Sequence, residues 1–175
     1  MIEREDIVLA VIAAAGGELT GKVRLQKAVY LLDQLGLRSG FEYEYHHYGP
    51  FSRDLVNATE DAKAFKMVKE EQGQRSGDLA NFSIFKLSPG GKPKSEAFGE
   101  LGPDRARELM KSLSTRDATV LELAATIHWL WKYEHREMWR AEIVRRKGQK
   151  TQHGRLDLAI ALLNDLALAP PVAHG

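Results

Sequence analysis

Residues 41–55 read Phe-Glu-Tyr-Glu-Tyr-His-His-Tyr-Gly-Pro-Phe-Ser-Arg-Asp-Leu (FEYEYHHYGPFSRDL). Phe41, Tyr43, Tyr45 and His47 alternate with Glu42, Glu44 and His46, the period of two that marks a half-buried strand. Gly49-Pro50 ends the strand, and Ser52, with Asp54 in the following turn, opens a helix running to about residue 63. Neighbouring residues of a strand point to opposite faces, so His46 and His47 cannot bind one metal ion from it. His128 and His135 lie seven apart, two helical turns from each other and too far to share an ion. Glu42, Glu44 and His46 follow one face as the wet side of an edge strand, where like charges deter unwanted pairing.

Outward from this stretch the chain reads as mostly helical. Residues 3–15 form an apolar helix closed by Gly16-Gly17, "ELTGK" a turn, and residues from about 22 to Gly36 a second, largely buried helix. "AFKMVKEE" and "NFSIFKLS", joined by the polar loop "QGQRSGDLA", predict a β-hairpin. Helices followed by a hairpin whose last strand ends in "KLSPGGK" are the layout of a winged helix. Further helices are expected at roughly 103–113, 117–133, 136–147 and 154–167. The fold class is therefore mainly α with a small antiparallel β-hairpin or sheet. A single domain over 1–168 is expected, with a helix-strand-hairpin half to about residue 100, a helical half over 103–168 and a frayed tail at 169–175.

The bulk numbers agree with this. The 175 residues are 43% hydrophobic and 28% charged, values of an ordinary globular domain that can bury a core without staples. A net charge of +1 gives no whole-chain field toward nucleic acid or an anionic membrane. Cysteine is absent, which removes disulfides, thiolate catalysis and cysteine zinc sites. No apolar run reaches the roughly 18 residues of a membrane span. The opening "MIEREDIVLAVIAAAGG" has acids before its apolar stretch and reads as the first helix of a cytoplasmic protein. No nucleophile elbow, P-loop or dinucleotide fingerprint is present, and neither an enzyme nor a cofactor is indicated.

All three tryptophans, Trp129, Trp131 and Trp139, fall within "TIHWLWKYEHREMW". Trp129 and Trp131 lie about 200° apart on a helix, so one faces a neighbouring helix and the other a groove or partner. Basic residues gather late, with Arg140, Arg145 and Arg146 among them, diluted by Glu134, Glu137 and Glu142.

Two stretches together, "RLQKAVYLLDQLGL" (24–37) and "YHHYGPFSRDL" (45–55), resemble the Panacea-domain family, the group of SocA-like antitoxins and YwgA-like proteins. "FSIFKLSPGGK" is similar to that family's strand and turn, and residues 120–168 look most like the YwgA branch. The resemblance covers about 20–168 and matches Leu25, Gln26, Lys27, Tyr30, Tyr48, Gly49, Pro50 and Ser52. It implies a structural turn in which Tyr48 packs, Gly49 and Pro50 fix the bend and Ser52 caps a helix. It also implies a non-enzymatic interaction module without cofactor, which neutralises a toxin or delivers a client to a protease. Gln26 and Lys27 are expected at the border of the functional surface, since polar residues in an apolar helix need water or a partner. Tyr30, Trp129 and Trp131 are expected beside a partner-binding groove. The alternative is a winged-helix nucleic-acid binder using Arg53, Arg75, Arg140, Arg145 and Arg146. A hydrolase built from Glu42, Glu44, His46 and Asp54 ranks behind both. A homodimer through the tryptophan-rich helix or the last helix fits any of these.

Overall fold

The structure is a computed structural model and describes residues 1–78 and 80–172. It has an α+β fold whose helices are α1 (Arg4–Ala14), α2 (Lys22–Gln34), α3 (Arg53–Ala64), α4 (Gly102–Leu113), α5 (Ala118–Lys132), α6 (Trp139–Lys147) and α7 (Arg155–Asp165). The strands are β1 (Glu18–Thr20), β2 (Glu44–His46), β3 (Gly49–Phe51), β4 (Val68–Gln74) and β5 (Asn81–Leu87). Strands β4 and β5 form the expected hairpin, with Val68 opposite Leu87 and Gln74 opposite Asn81. The segment expected as the turn "ELTGK" instead contributes β1, which joins β5 antiparallel and gives the order β1-β5-β4. Only Leu19 of β1 is buried, and three residues are too few to display a period.

Two helices form the centres of the packing. In α1 every residue from Asp6 to Ile12 is buried, and α3, α4 and β5 surround it. Its start is fixed by a capping box in which Asp6 Oδ2 accepts from the Glu3 amide at 2.8 Å. In α5 the run Val120–His128 is buried beneath α2, α6, α7 and β3. The Asp117 carboxylate caps α5 by accepting from the Thr119 and Val120 amides. Helix α2 lies against both α4 and α5 and so joins the two centres. One cluster of buried apolar side chains extends from Ile7 to Leu166. In the expected tail, Ala169 packs on that cluster and Pro170 is buried, while residues 173–175 lie outside the described residues.

The opening stretch differs from its sequence reading in two respects, the first being that only Glu44–His46 of the strand expected over 41–47 is a strand. Gly49-Pro50 does not end the strand; it is the return strand β3, paired with β2 through Tyr45–Pro50 and His46–Gly49. The turn is made by His47 and Tyr48, so Tyr48 is half-exposed rather than packed. A proline without an N–H can sit in β3 because only one neighbour strand pairs there. Ser52 caps α3 as expected, its Oγ accepting from the Leu55 amide at 3.2 Å.

Candidate functional site

The β2–β3 hairpin packs on α2 and α5 and is held from both sides. From α2, Gln26 makes two hydrogen bonds to Ser52, donating to its carbonyl and accepting from its amide, both at 2.9 Å. Lys27 Nζ donates to the Pro50 carbonyl at 2.6 Å. From α6, Lys147 Nζ donates to the His47 carbonyl at 3.1 Å. Thr126 of α5 forms the floor: a Cβ on Gly49 would lie 2.4 Å from Thr126 Oγ1, and Gly49 sits at φ +92°. Glycine is therefore required twice at this position, for its backbone conformation and for its missing side chain.

Behind the hairpin lies a buried cluster of charge. The Glu122 carboxylate, 3% exposed, stands 3.2 Å from Lys147 Nζ and 2.9 Å from Lys150 Nζ. Lys27 is 1% exposed; burial pulls its pKa down to about 8, against the attraction of Glu122. Burial likewise lowers Lys147. Three ammonium groups thus surround one buried carboxylate, and the Nζ of Lys150 also lies 4.8 Å over the Tyr48 ring.

An aromatic layer flanks this cluster. Tyr30, with no exposed surface, shares a 2.7 Å hydrogen bond between its hydroxyl and His128 Nδ1. Burial pushes the Tyr30 hydroxyl up and draws His128 down to about 4, with Lys132 adding to the latter. Trp129 packs among Tyr30, Tyr45 and Tyr133, and its buried Nε1 has no hydrogen-bond acceptor among the described residues. Trp131 faces the other way, onto a surface cleft of about 390 Å³ with Lys132, His135 and Glu137.

These positions revise the expectations for α2. Lys27 and Tyr30 are interior supports of the hairpin and offer a partner no surface; their polar atoms are satisfied inside the protein. Gln26 is also buried but lines an opening. A groove of about 200 Å³ runs between α2 and α3 over β5, walled by Leu25, Phe51, Leu55, Val56 and Phe85, with Lys22, Glu60 and Glu70 at its rim. Helix α3 itself packs on α1 and β4.

The basic residues do not converge. Arg53 is exposed at the start of α3, 5.9 Å over the Phe51 ring, and Arg75 lies beyond the end of β4. Arg140 lies 4.9 Å over Trp139. Arg145 and Arg146 are spent on acids: both grip Glu142, and Arg146 also reaches Glu134 at 2.7 Å and covers Tyr45 at 4.7 Å. The guanidinium groups of Arg145 and Arg146 hold Glu142 down at about 2. Among the described residues no group of three or more His, Asp or Glu is placed to hold a metal ion, and no helix is long and apolar enough to cross a membrane. His46 instead bonds Glu44 at 2.8 Å and stacks on Phe51.

The chain is similar to the uncharacterized protein YwgA of Bacillus subtilis (strain 168), with 22% identity over 163 residues that span 93% of this chain and 96% of that protein. No family model matches it.

The sequence pointed to α2 and the Tyr-Gly-Pro-Phe-Ser turn but not to Glu122, and it placed Lys147 on a basic surface stripe where the structure buries it against Glu122. Both stand in helices whose neighbours read as core or as a charged face. A signal was present in Glu122 itself, a carboxylate inside the apolar run "VLELAATI" that requires a cation from elsewhere in the chain.

Proposed function

We propose that the protein is a non-enzymatic interaction module of the antitoxin-like type, acting in the cytoplasm on a partner protein that it neutralises or delivers, and that the partner docks in the groove between α2 and α3. The groove carries this reading: apolar walls from Phe51 and Val56 stand half-exposed above buried Leu25, Leu55 and Phe85. Its rim holds charges of both signs, Lys22 and Glu60. That composition suits an amphipathic segment which inserts a bulky apolar side chain and pairs its flanking charges with the rim. The similarity to the Panacea-domain family in "RLQKAVYLLDQLGL" and "YHHYGPFSRDL" supports the same reading, because those two motifs build the two sides of the groove.

The nucleic-acid alternative has less to stand on. In a helix-turn-helix arrangement the second helix of the pair would enter the DNA groove, yet α3 carries Asp54, Glu60 and Asp61 against Arg53 and Lys63. Two of the late arginines are already paired with glutamates.

The test is co-purification of the tagged full chain from its native host, with and without nuclease, followed by co-expression of the recovered partner. A stoichiometric protein that survives nuclease, is lost with Val56→Asp and is retained with Trp131→Ala supports docking in the groove. Relief of that partner's toxicity, or its protease-dependent turnover, by the wild-type chain but not by Val56→Asp supports the antitoxin-like role. Recovery that depends on nucleic acid and fades with salt refutes both.

A further inference from the structure

A second cleft, of about 580 Å³, opens on the side of α2 facing the β4–β5 hairpin. Its walls are the segment Thr20–Arg24, the hairpin residues Gln72, Arg75, Asn81, Phe82 and Ser83, and the start of α5 at Asp117. The volume is that of a site for a small organic ligand.

The hairpin supplies an aromatic wall. Gly73 pairs with Phe82 across the strands, and a Cβ on Gly73 would lie 2.4 Å from the Phe82 Cε2 and Cζ atoms. The ring therefore lies across the backbone of Gly73, half-exposed to the cleft.

Three cations share this cleft. Lys22 is 74% exposed and only 3.9 Å from Glu70, whose own charge is engaged by Lys63 at 2.8 Å. Arg75 makes no ion pair or side-chain hydrogen bond among the described residues. Arg24 donates from Nε and Nη2 to the Arg116 carbonyl and from Nη1 to the Thr20 carbonyl, which leaves two of its five N–H groups free. The carboxylate lining the cleft, Asp117, accepts through Oδ1 from the amides that begin α5 and attracts Arg24, so the excess positive charge is that of Lys22 and Arg75. The cleft thus presents positive charge beside an aromatic face, with the amides of Gln72 and Asn81 as further polar groups.

We propose that this cleft binds a phosphorylated nucleoside, its base against Phe82 and its phosphate among Lys22, Arg24 and Arg75. The same chemistry is offered by a free nucleotide and by one residue of a single strand, since base–aromatic stacking and phosphate pairing serve both. The site shares Lys22 with the rim of the groove walled by Val56, but Arg75 and Phe82 belong to this cleft alone, so the variants that test it leave the docking proposal untouched.

Calorimetric titration of the full chain with adenosine monophosphate, adenosine, inorganic phosphate and a short oligothymidine tests it. Saturable binding of the nucleotide or the strand, weakened by salt and stronger than that of adenosine or phosphate alone, is the expected result. Arg75→Ala and Phe82→Leu should each lower that affinity about tenfold, within the range lost with one stacked base or phosphate contact. Leucine keeps the apolar cover over Gly73, so an unchanged melting temperature separates lost stacking from a damaged hairpin. A strand that binds far more tightly than the free nucleotide identifies the source as nucleic acid. Absence of saturable binding at millimolar nucleotide and strand, equal binding by both variants, or phosphate binding as tightly as the nucleotide overturns the proposal.

Discussion

Replacing Glu122 by Gln keeps the shape of the side chain and removes the charge that three lysines share. Lys147 and Lys150 stand 3.2 and 2.9 Å from Glu122 Oε2, and Lys27 is 1% exposed in the same cluster. Breaking a buried ion pair by removing one partner costs about 3–5 kcal/mol, because the remaining charge stays buried and uncompensated. For a chain of this size each kcal/mol moves the melting temperature by about 2–4 °C, so a fall of about 6–20 °C is expected at neutral pH. Lys27→Met in the same cluster should behave differently. Holding Lys27 at about 8 instead of 10.5 already costs roughly 3 kcal/mol at neutral pH. Its removal returns that cost while orphaning the Pro50 carbonyl, a loss of about 1–3 kcal/mol, so the two nearly cancel.

Alkaline pH provides a second readout of the same cluster. Between pH 8 and 10.5 the unfolded chain keeps a proton on Lys27 that the folded chain has released. The unfolded state binds more protons there, so this group adds stability as pH rises through that window. Loss of Glu122 moves the Lys27 and Lys147 titrations lower still and makes the gain larger. Thermal denaturation followed by circular dichroism at about pH 7 and pH 9.5 should therefore show Glu122→Gln partly recovering at the higher value. A fall of less than about 3 °C, or an equal deficit at both pH values, would refute the reasoning that Glu122 serves as counter-charge to the lysines.

Gly49→Ala should destabilise by about 2–4 kcal/mol in urea denaturation, combining a left-handed backbone with a Cβ driven onto Thr126 Oγ1. Ser52→Ala removes the cap of α3 and should cost about 1 kcal/mol with no change in urea m-value. His128, drawn down to about 4 by burial, stays neutral in the folded chain while the unfolded chain protonates near 6.5. Its contribution is fully present above pH 6.5 and is lost as pH falls toward 4, at most about 3 kcal/mol. Chemical denaturation across that interval should show the slope in the wild type and its loss in His128→Gln.

Much of the architecture was legible in the sequence because it is written in strong periods and stops. The apolar run of α1, the Ser52 cap and the β4–β5 hairpin could all be located from local pattern. Strand β1 was not legible, since its pairing with β5 is a long-range event over three residues. The true turn of the β2–β3 hairpin was hidden for a related reason. Gly49-Pro50 reads as punctuation, yet its glycine is demanded by contact with Thr126, which no local rule reveals. At the candidate site the sequence picked Gln26, Lys27 and Tyr30 as noteworthy polar positions, but burial decides their role. Their partners, Ser52, Pro50 and His128, are remote in the chain or lie in backbone groups that composition does not display. Trp129 and Trp131 do face apart as the helical angle requires, and Trp129 meets the tyrosine layer.

The hairpin's supports come from residue 26 at one end of the chain and residue 150 at the other, and this sets an order of events on the ribosome. Synthesis releases α1, α2 and the hairpin long before Glu122, Lys147 and Lys150. A domain whose early segments could close on themselves would fold as they emerge. Here the emerging N-terminal portion carries Lys27 with its counter-charge still unsynthesised and Gly49 with no Thr126 to rest on. The hairpin can be locked in place only when α5 and α6 have left the exit tunnel, after every element packed around α1 has already emerged.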